Sequence, residues 1–238
     1  MRCRGFTLLE VLVAVSITAL LGVGAAQVLS GLINVKEATE AKSSQLAALQ
    51  RMNNRLARDI RQFINRPIRD AYGDSIDALR LDDGGDYYFE FTRAGWRNRP
   101  GVEDTRSELQ RVAYATVDID DDACEYARRS LSETATEEDP EWEFPCLVRY
   151  SWDVLDRDYN SAVRSAVVLN QVASFYVSVL AEERDDEGNV ASTNWYSEWP
   201  IVQTEGAEVL PVAVKVEFEI PGMGEIERLW PIAHDGEL

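Results

Sequence analysis

One acid sits alone in a long apolar stretch. From Phe6 to Val35 the single charged residue is Glu10, and a carboxylate deep in a membrane helix costs on the order of 3 kcal/mol by insertion scales. Such a group needs a cationic partner. Cleavage between Gly5 and Phe6 would create one, because the new α-amino group stands four residues before Glu10, about 6 Å along a helix. That amine could pair within its own chain or with a neighbour, and a filament offers the neighbour. The chemistry in view is the cutting of one peptide bond followed by ion pairing in lipid.

Other chemically able residues are fewer. Cys3 would leave with the short leader, so Cys124 and Cys146 remain. An even pair in an exported segment suits a disulfide, worth about 3 kcal/mol by loop-closure entropy, against two free thiols as the alternative. Asp118, Asp120 and Asp122, with Glu125, offer oxygen ligands for calcium, yet lack the glycine and terminal glutamate of an EF-hand. A solvated acidic loop is the preferred reading there. His234 is the one histidine, which excludes a histidine zinc cluster. No Gly-x-Ser-x-Gly, P-loop or Rossmann glycine pattern is present. No cofactor and no catalytic set is expected.

The elements that must position Glu10 follow from periodicity. The run from Phe6 to Val35 is about 45 Å as a helix, enough to cross a bilayer. Arg2 and Arg4 on its short side predict a cytoplasmic N-terminus and a head across the membrane. Beyond Lys36, Leu46, Leu49, Met52, Leu56, Ile60 and Phe63 form one apolar stripe, expected to pack on the chain's own sheet. Arg51, Arg55, Arg58 and Arg61 lie on other faces; Arg55 and Arg58 are candidates for docking to acidic neighbours. Pro67 stops the helix near Ile64. Alternating runs then predict strands at 87–92, 109–115, 147–154, 175–179, 212–220 and 226–230, with a turn at Pro221–Gly224. A long helix followed by antiparallel strands is an α+β architecture. Trp195 and Trp199, close to Tyr196, are the tryptophans best placed for an interface.

Charge follows the same division. Residues 6–69 hold eight Lys/Arg against four Asp/Glu, while the whole chain carries −18. A mildly basic stalk thus bears a strongly acidic head, which argues against binding nucleic acid.

Gly5-Phe6-Thr7-Leu8-Leu9-Glu10-Val11 resembles the type IV pilin and pseudopilin processing motif. The resemblance implies that a prepilin peptidase cuts after Gly5 and methylates the amine of Phe6, and that Glu10 is needed for assembly. A rival reading, a secretory signal peptide, would use Gly24, Ala25 and Ala26 for a cut before Gln27, but leaves Glu10 unexplained. Further on, Phe89-Glu-Phe-Thr-Arg-Ala-Gly-Trp-Arg-Asn98 and Arg106-Ser-Glu-Leu-Gln-Arg-Val-Ala-Tyr114 resemble the J-type minor pseudopilin of type II secretion. So do Leu147-Val-Arg-Tyr150, Leu155-Asp-Arg157, Leu210-Pro-Val-Ala-Val214 and Gly224-Glu-Ile-Glu-Arg-Leu229, and Arg61-Gln62 through Arg69-Asp70 fits too.

That resemblance implies a non-catalytic subunit at the pseudopilus tip, joining I-type and K-type minor pseudopilins, with an H-type subunit next, and meeting secreted cargo. It implies a five-residue leader, a membrane half at 6–35, an amphipathic half at 36–66, and a periplasmic head at 67–238 anchored in the inner membrane. The acidic stretch at about 118–146 is longer than expected between its strands and is read as an insertion. A minor pilin of a type IV pilus shares the leader and is the alternative; a membrane-anchored enzyme lacks a convergent catalytic set.

Overall fold

The computed structural model describes residues 7–85, 87–95, 108–134, 144–157, 160–201 and 208–232. Gly5, Phe6 and His234 lie outside the described residues, as does part of the acidic stretch. The chain divides into two compact units, one ending at Leu49 and one beginning at Gln50.

The first unit is helical. Helix α1 spans Leu8–Arg61, and every residue from Thr7 to Leu46 is exposed. An apolar exterior of this kind is stable only in a medium as apolar as itself. It is long and apolar enough to cross a membrane, an 18-residue stretch of it reaching a mean hydropathy of 2.2. Two of its hydroxyls are satisfied internally: Ser16 Oγ donates to Leu12 O at 2.8 Å and Thr18 Oγ1 to Ala14 O at 2.8 Å. In lipid no water would do this for them.

The second unit holds the last turns of α1 and the sheets. The helix ends earlier than Pro67 requires. Gln62 and Phe63 make tight three-residue bonds back to Asp59 O and Ile60 O, and Ile64 N then donates to Thr92 O at 3.0 Å. The departing chain is thus captured by sheet backbone before proline intervenes.

Two short strands, β1 (Ile68–Arg69) and β2 (Ser75–Ile76), form a ribbon. Next come β3 (Leu79–Leu81), β4 (Phe89–Arg93) and β5 (Gln110–Val117). A 3₁₀ turn at Asp122–Cys124 leads into α2 (Glu125–Thr134). Strands β6 (Cys146–Trp152) and β7 (Val163–Leu169) complete a five-stranded antiparallel sheet in sequential order from β3. The remaining strands, β8 (Ser174–Arg184), β9 (Val190–Tyr196), β10 (Glu208–Ile220) and β11 (Gly224–Pro231), form a second antiparallel sheet in the order β11-β10-β8-β9. The β10–β11 hairpin turns where the Pro-Gly-Met-Gly run predicts, with Gly222 and Gly224 at positive φ.

Within the described part of the acidic stretch, Asp122–Cys124 and Glu125–Thr134 are helical and the residues before them form a largely exposed turn. Asp121 caps the 3₁₀ turn through Oδ1, accepting from Ala123 N at 2.7 Å. Asp118 accepts from Asp120 N at 2.9 Å. Cys124 and Ala127 on this segment are buried with Cys146 and Val148. The aspartates shape a turn, and the apolar residues between them anchor it to β6.

The five-stranded sheet departs from the alternating expectation in an informative way. Strand β4 is buried at every position, and β5 and β6 nearly so. The last turns of α1 cover one face. The 3₁₀ turn and α2 cover part of the other.

Candidate functional site

Glu10 stands in the first turn of α1 and is exposed. Thr7 is its cap: Glu10 N donates to Thr7 O at 3.1 Å and to Thr7 Oγ1 at 3.3 Å. This threonine–x–x–glutamate pattern starts a helix, so the helix begins just after the Gly5–Phe6 bond. The carboxylate itself makes no ion pair among the described residues, and its nearest partner by sequence, the amine of a cleaved Phe6, lies outside them.

Met52, Leu56, Ile60 and Phe63 of the apolar stripe are buried, in keeping with packing on the chain's own sheet, whereas Leu46 is exposed. Asp59 lies within the apolar stripe, fully buried between Leu56 and Ile60. Its Oδ1 takes a bond from Arg93 Nη1. Its Oδ2 takes Arg149 Nε at 2.5 Å and Tyr114 Oη at 2.8 Å. The three partners come from β4, β5 and β6, and Tyr114 and Arg149 are directly opposed in register. One carboxylate on the helix therefore gathers three neighbouring strands. Gln62 adds an amide oxygen to Arg93. Gly95, at φ +103°, leaves room for that amide where any Cβ would collide with it.

The opposite face of the same strands carries a second cluster. Glu90 Oε1 accepts from Arg111 Nε at 2.7 Å and from Arg157 Nη2 at 2.6 Å. Arg111 is fully buried and also donates to Asp77 O, Ala78 O and Thr92 Oγ1. Arg157 stacks on Trp152, its guanidinium 4.1 Å from the ring centroid. Thus each buried acid faces two arginines. Burial pulls Arg93 and Arg111 below the ordinary arginine range, and their carboxylate partners oppose it. Burial pushes the Tyr114 hydroxyl well above the usual tyrosine value, and the charge of Asp59 adds to that.

These clusters escaped the sequence reading because alternation in a strand is taken to mean one wet face. Glu90, Arg111 and Arg149 then look like solvent-facing residues. The available signal was Asp59, a single acid in an apolar helix stripe.

The remaining candidates separate. Cys124 and Cys146 are bonded, with Cα atoms 6.0 Å apart, tying the acidic segment to the first residue of β6. Arg55 and Arg58 are exposed on α1. Trp195 on β9 is 44% exposed, with Lys215 Nζ 5.3 Å from its ring centroid. Trp199 is 8% exposed and is a correction to the interface expectation. Its backbone exchanges two bonds with Leu81 of β3, at 2.9 and 3.1 Å, and its ring lies edge-on to Tyr196 with centroids 6.4 Å apart. Asp118, Asp120 and Asp122 are exposed, and among the described residues no three His, Cys, Asp or Glu side chains converge as metal ligands.

With this geometry established, the relatives are informative. Residues 27–232 match the family described as Type II secretion system (T2SS), protein J, and residues 1–26 match the prokaryotic N-terminal methylation motif. The type II secretion system protein J of Klebsiella pneumoniae is 30% identical over 232 residues, covering 96% of this chain and 94% of its own length. That of Vibrio cholerae is 30% identical over 231 residues, covering 95% and 86%. Among solved structures, a chain from the GspK-GspI-GspJ complex of the enterotoxigenic Escherichia coli type 2 secretion system superposes with a TM-score of 0.53 at 23% identity, covering 80% of this chain and 98% of that one. The fold is that of a pseudopilin. An N-terminal methylation motif, an apolar helix with one acid, and a J-type head matched along most of its length place the chain in the type II secretion system protein J family, as a minor pseudopilin of type II secretion and not a pilin of a type IV pilus.

Proposed function

We propose that this chain is a non-catalytic tip subunit that helps start pseudopilus assembly for export across the outer membrane. Its leader, residues 1–5, is removed by the prepilin peptidase, and the new amine at Phe6 is methylated. The apolar half of α1 holds the subunit in the inner membrane, N-terminus cytoplasmic and head periplasmic, until it enters the filament. Its partners are the I-type and K-type minor pseudopilins, with the H-type subunit following and secreted cargo near the tip. The origin of the solved neighbour in a GspK-GspI-GspJ complex supports that choice of partners.

The observation that carries this reading is Glu10, the one charge among residues 6–35. A desolvated carboxylate gains several kcal/mol from a cationic partner, and the amine of an adjoining Phe6 supplies it only when subunits associate. Glu10→Leu should abolish incorporation into the tip complex and lower export at least tenfold, while the protein still accumulates in the membrane. Secretion of a reporter substrate and co-purification of the full chain with its I- and K-type partners read both. Normal export and co-purification from the leucine variant would sink the proposal. Intact mass adds a check: the mature chain should begin at Phe6 with one added methyl group.

A further inference from the structure

The four-stranded sheet has two unlike faces. Val177, Val179, Val214, Val216, Phe218 and Trp230 are buried on one. On the other, an apolar row crosses every strand: Pro231 of β11 pairs with Ala213 of β10, Ala213 with Leu180 of β8, and Leu180 with Trp195 of β9. The adjoining row sets Leu229 opposite Lys215, and Tyr176 stands one row further along β8. Leu229 is 56% exposed and Tyr176 62%. Large apolar side chains gathered on one outer face mark a contact surface.

Beside this apolar band the register apposes like charges twice. Glu217 of β10 faces Glu227 of β11, and two residues on Glu219 faces Glu225. Directly opposed like charges weaken a strand pair, and here two such pairs follow each other. The nearest cation on this face is Lys215, whose Nζ lies 3.0 Å from Glu217 Oε2 and so relieves one of the four. A solvated face needs no such arrangement, since a single lysine in place of Glu227 would make the pair attractive.

We infer that this face docks a basic amphipathic helix from an adjoining subunit of the filament. The inference rests on the pseudopilin reading, because it needs neighbours. A helix is the partner that a single sheet face ordinarily buries. The spacing also agrees: same-face residues on a strand recur about every 6.8 Å, and helix residues four apart rise about 6 Å. Arginines at such spacing would meet the successive glutamate pairs, and the next turns of the same helix would lie over Leu229 and the Ala213–Pro231 pair, with Leu180 and Trp195 flanking them. This chain carries a helix of that type itself, with exposed arginines at 51, 55 and 58 on α1, so the required chemistry exists among pilin-like subunits.

The test uses the full chain co-expressed in membranes with the other pseudopilins of its own system. A photoreactive phenylalanine analogue is placed at Trp195, Leu229 or Tyr176, with Tyr126 on α2 as the control position. Crosslinks from the first three should map by mass spectrometry to an arginine- or lysine-bearing helix of another pseudopilin, and those from Tyr126 should not. Glu217→Lys combined with Glu227→Lys should cut the yield about tenfold, and Glu217→Gln with Glu227→Gln should give a smaller cut. A compensating arginine-to-glutamate change in the partner helix should restore it. The head's melting temperature should hold or rise in the single variant Glu227→Lys, which separates lost docking from lost folding. The inference is overturned by an absence of face crosslinks, by crosslinks to a second copy or to a secreted protein, or by yields indifferent to charge reversal. Export that still depends on Glu10 in those cases would leave the pseudopilin assignment standing.

Discussion

Asp59→Asn tests whether one buried carboxylate holds the helix to its sheet. The asparagine keeps the shape and removes the charge, leaving the guanidiniums of Arg93 and Arg149 with no counter-ion in a site where Asp59 is fully buried and they nearly so. Breaking a buried ion pair from one side costs about 3–5 kcal/mol, chiefly because the abandoned charge stays desolvated. Two arginines are abandoned here, so the upper part of that range applies. The asparagine oxygen keeps a neutral bond from Tyr114, which returns about 1 kcal/mol. A net loss of about 4 kcal/mol with a urea slope near 2 kcal/mol/M moves the midpoint down by about 2 M. The assay is urea unfolding of the chain in mild detergent, followed by tryptophan fluorescence, with the exposed neighbour Arg58→Ala as reference, expected within about 0.5 kcal/mol of the parent. If Asp59→Asn shifts the midpoint by less than about 0.5 M, the carboxylate is not what joins α1 to β4, β5 and β6. Replacing all three charged groups by apolar residues of similar volume should recover most of the loss, since a buried ion cluster contributes little over good packing.

Further outcomes follow from the same geometry. Reduction of Cys124–Cys146, or Cys124→Ser with Cys146→Ser, closes no loop of the 22-residue separation and should cost about 3 kcal/mol, seen as proteolytic nicking near α2 at concentrations the oxidised chain resists. Alkaline stability should fall through Tyr114: the unfolded side chain ionises near pH 10 while the folded one keeps its proton. Its contribution is whole below about pH 10 and is lost above it by up to ~1.4 kcal/mol per pH unit. Tyr114→Phe should flatten that slope between pH 10 and 11.5, and equal slopes in both proteins would refute the role given to its burial. Glu10→Leu and the charge reversals on the outer sheet face should separate cleanly, the first stopping export and the second removing one helix contact.

Much of the function was legible without coordinates, for a physical reason. Glu10 is conspicuous because a lone charge is costly in lipid, and the proposed cut at Gly5-Phe6 would supply an amine to pair it. The long helix, although it ends at Arg61 and not near Ile64, the hairpin at Pro221–Gly224 and six strands of the head were equally readable, because they rest on short-range periodicity and turn residues. Strands β1, β2, β3, β7 and β9 were not: the first three are only two or three residues long, and β7 and β9 are largely exposed, so they carry no alternating stripe and gain their place only by pairing. The two-sheet arrangement and the burial of Trp199 depend on contacts between distant segments. So do the two charge clusters, since Glu90, Arg111 and Arg149 become interior only when α1 and the loops cover both faces of one sheet. Local pattern decided which segments are helix or strand and where the chain meets the membrane. Long-range packing decided which charges are buried, which tryptophan faces outward, and which glutamates confront each other, because desolvation is a property of everything that surrounds a residue and of nothing in its immediate sequence.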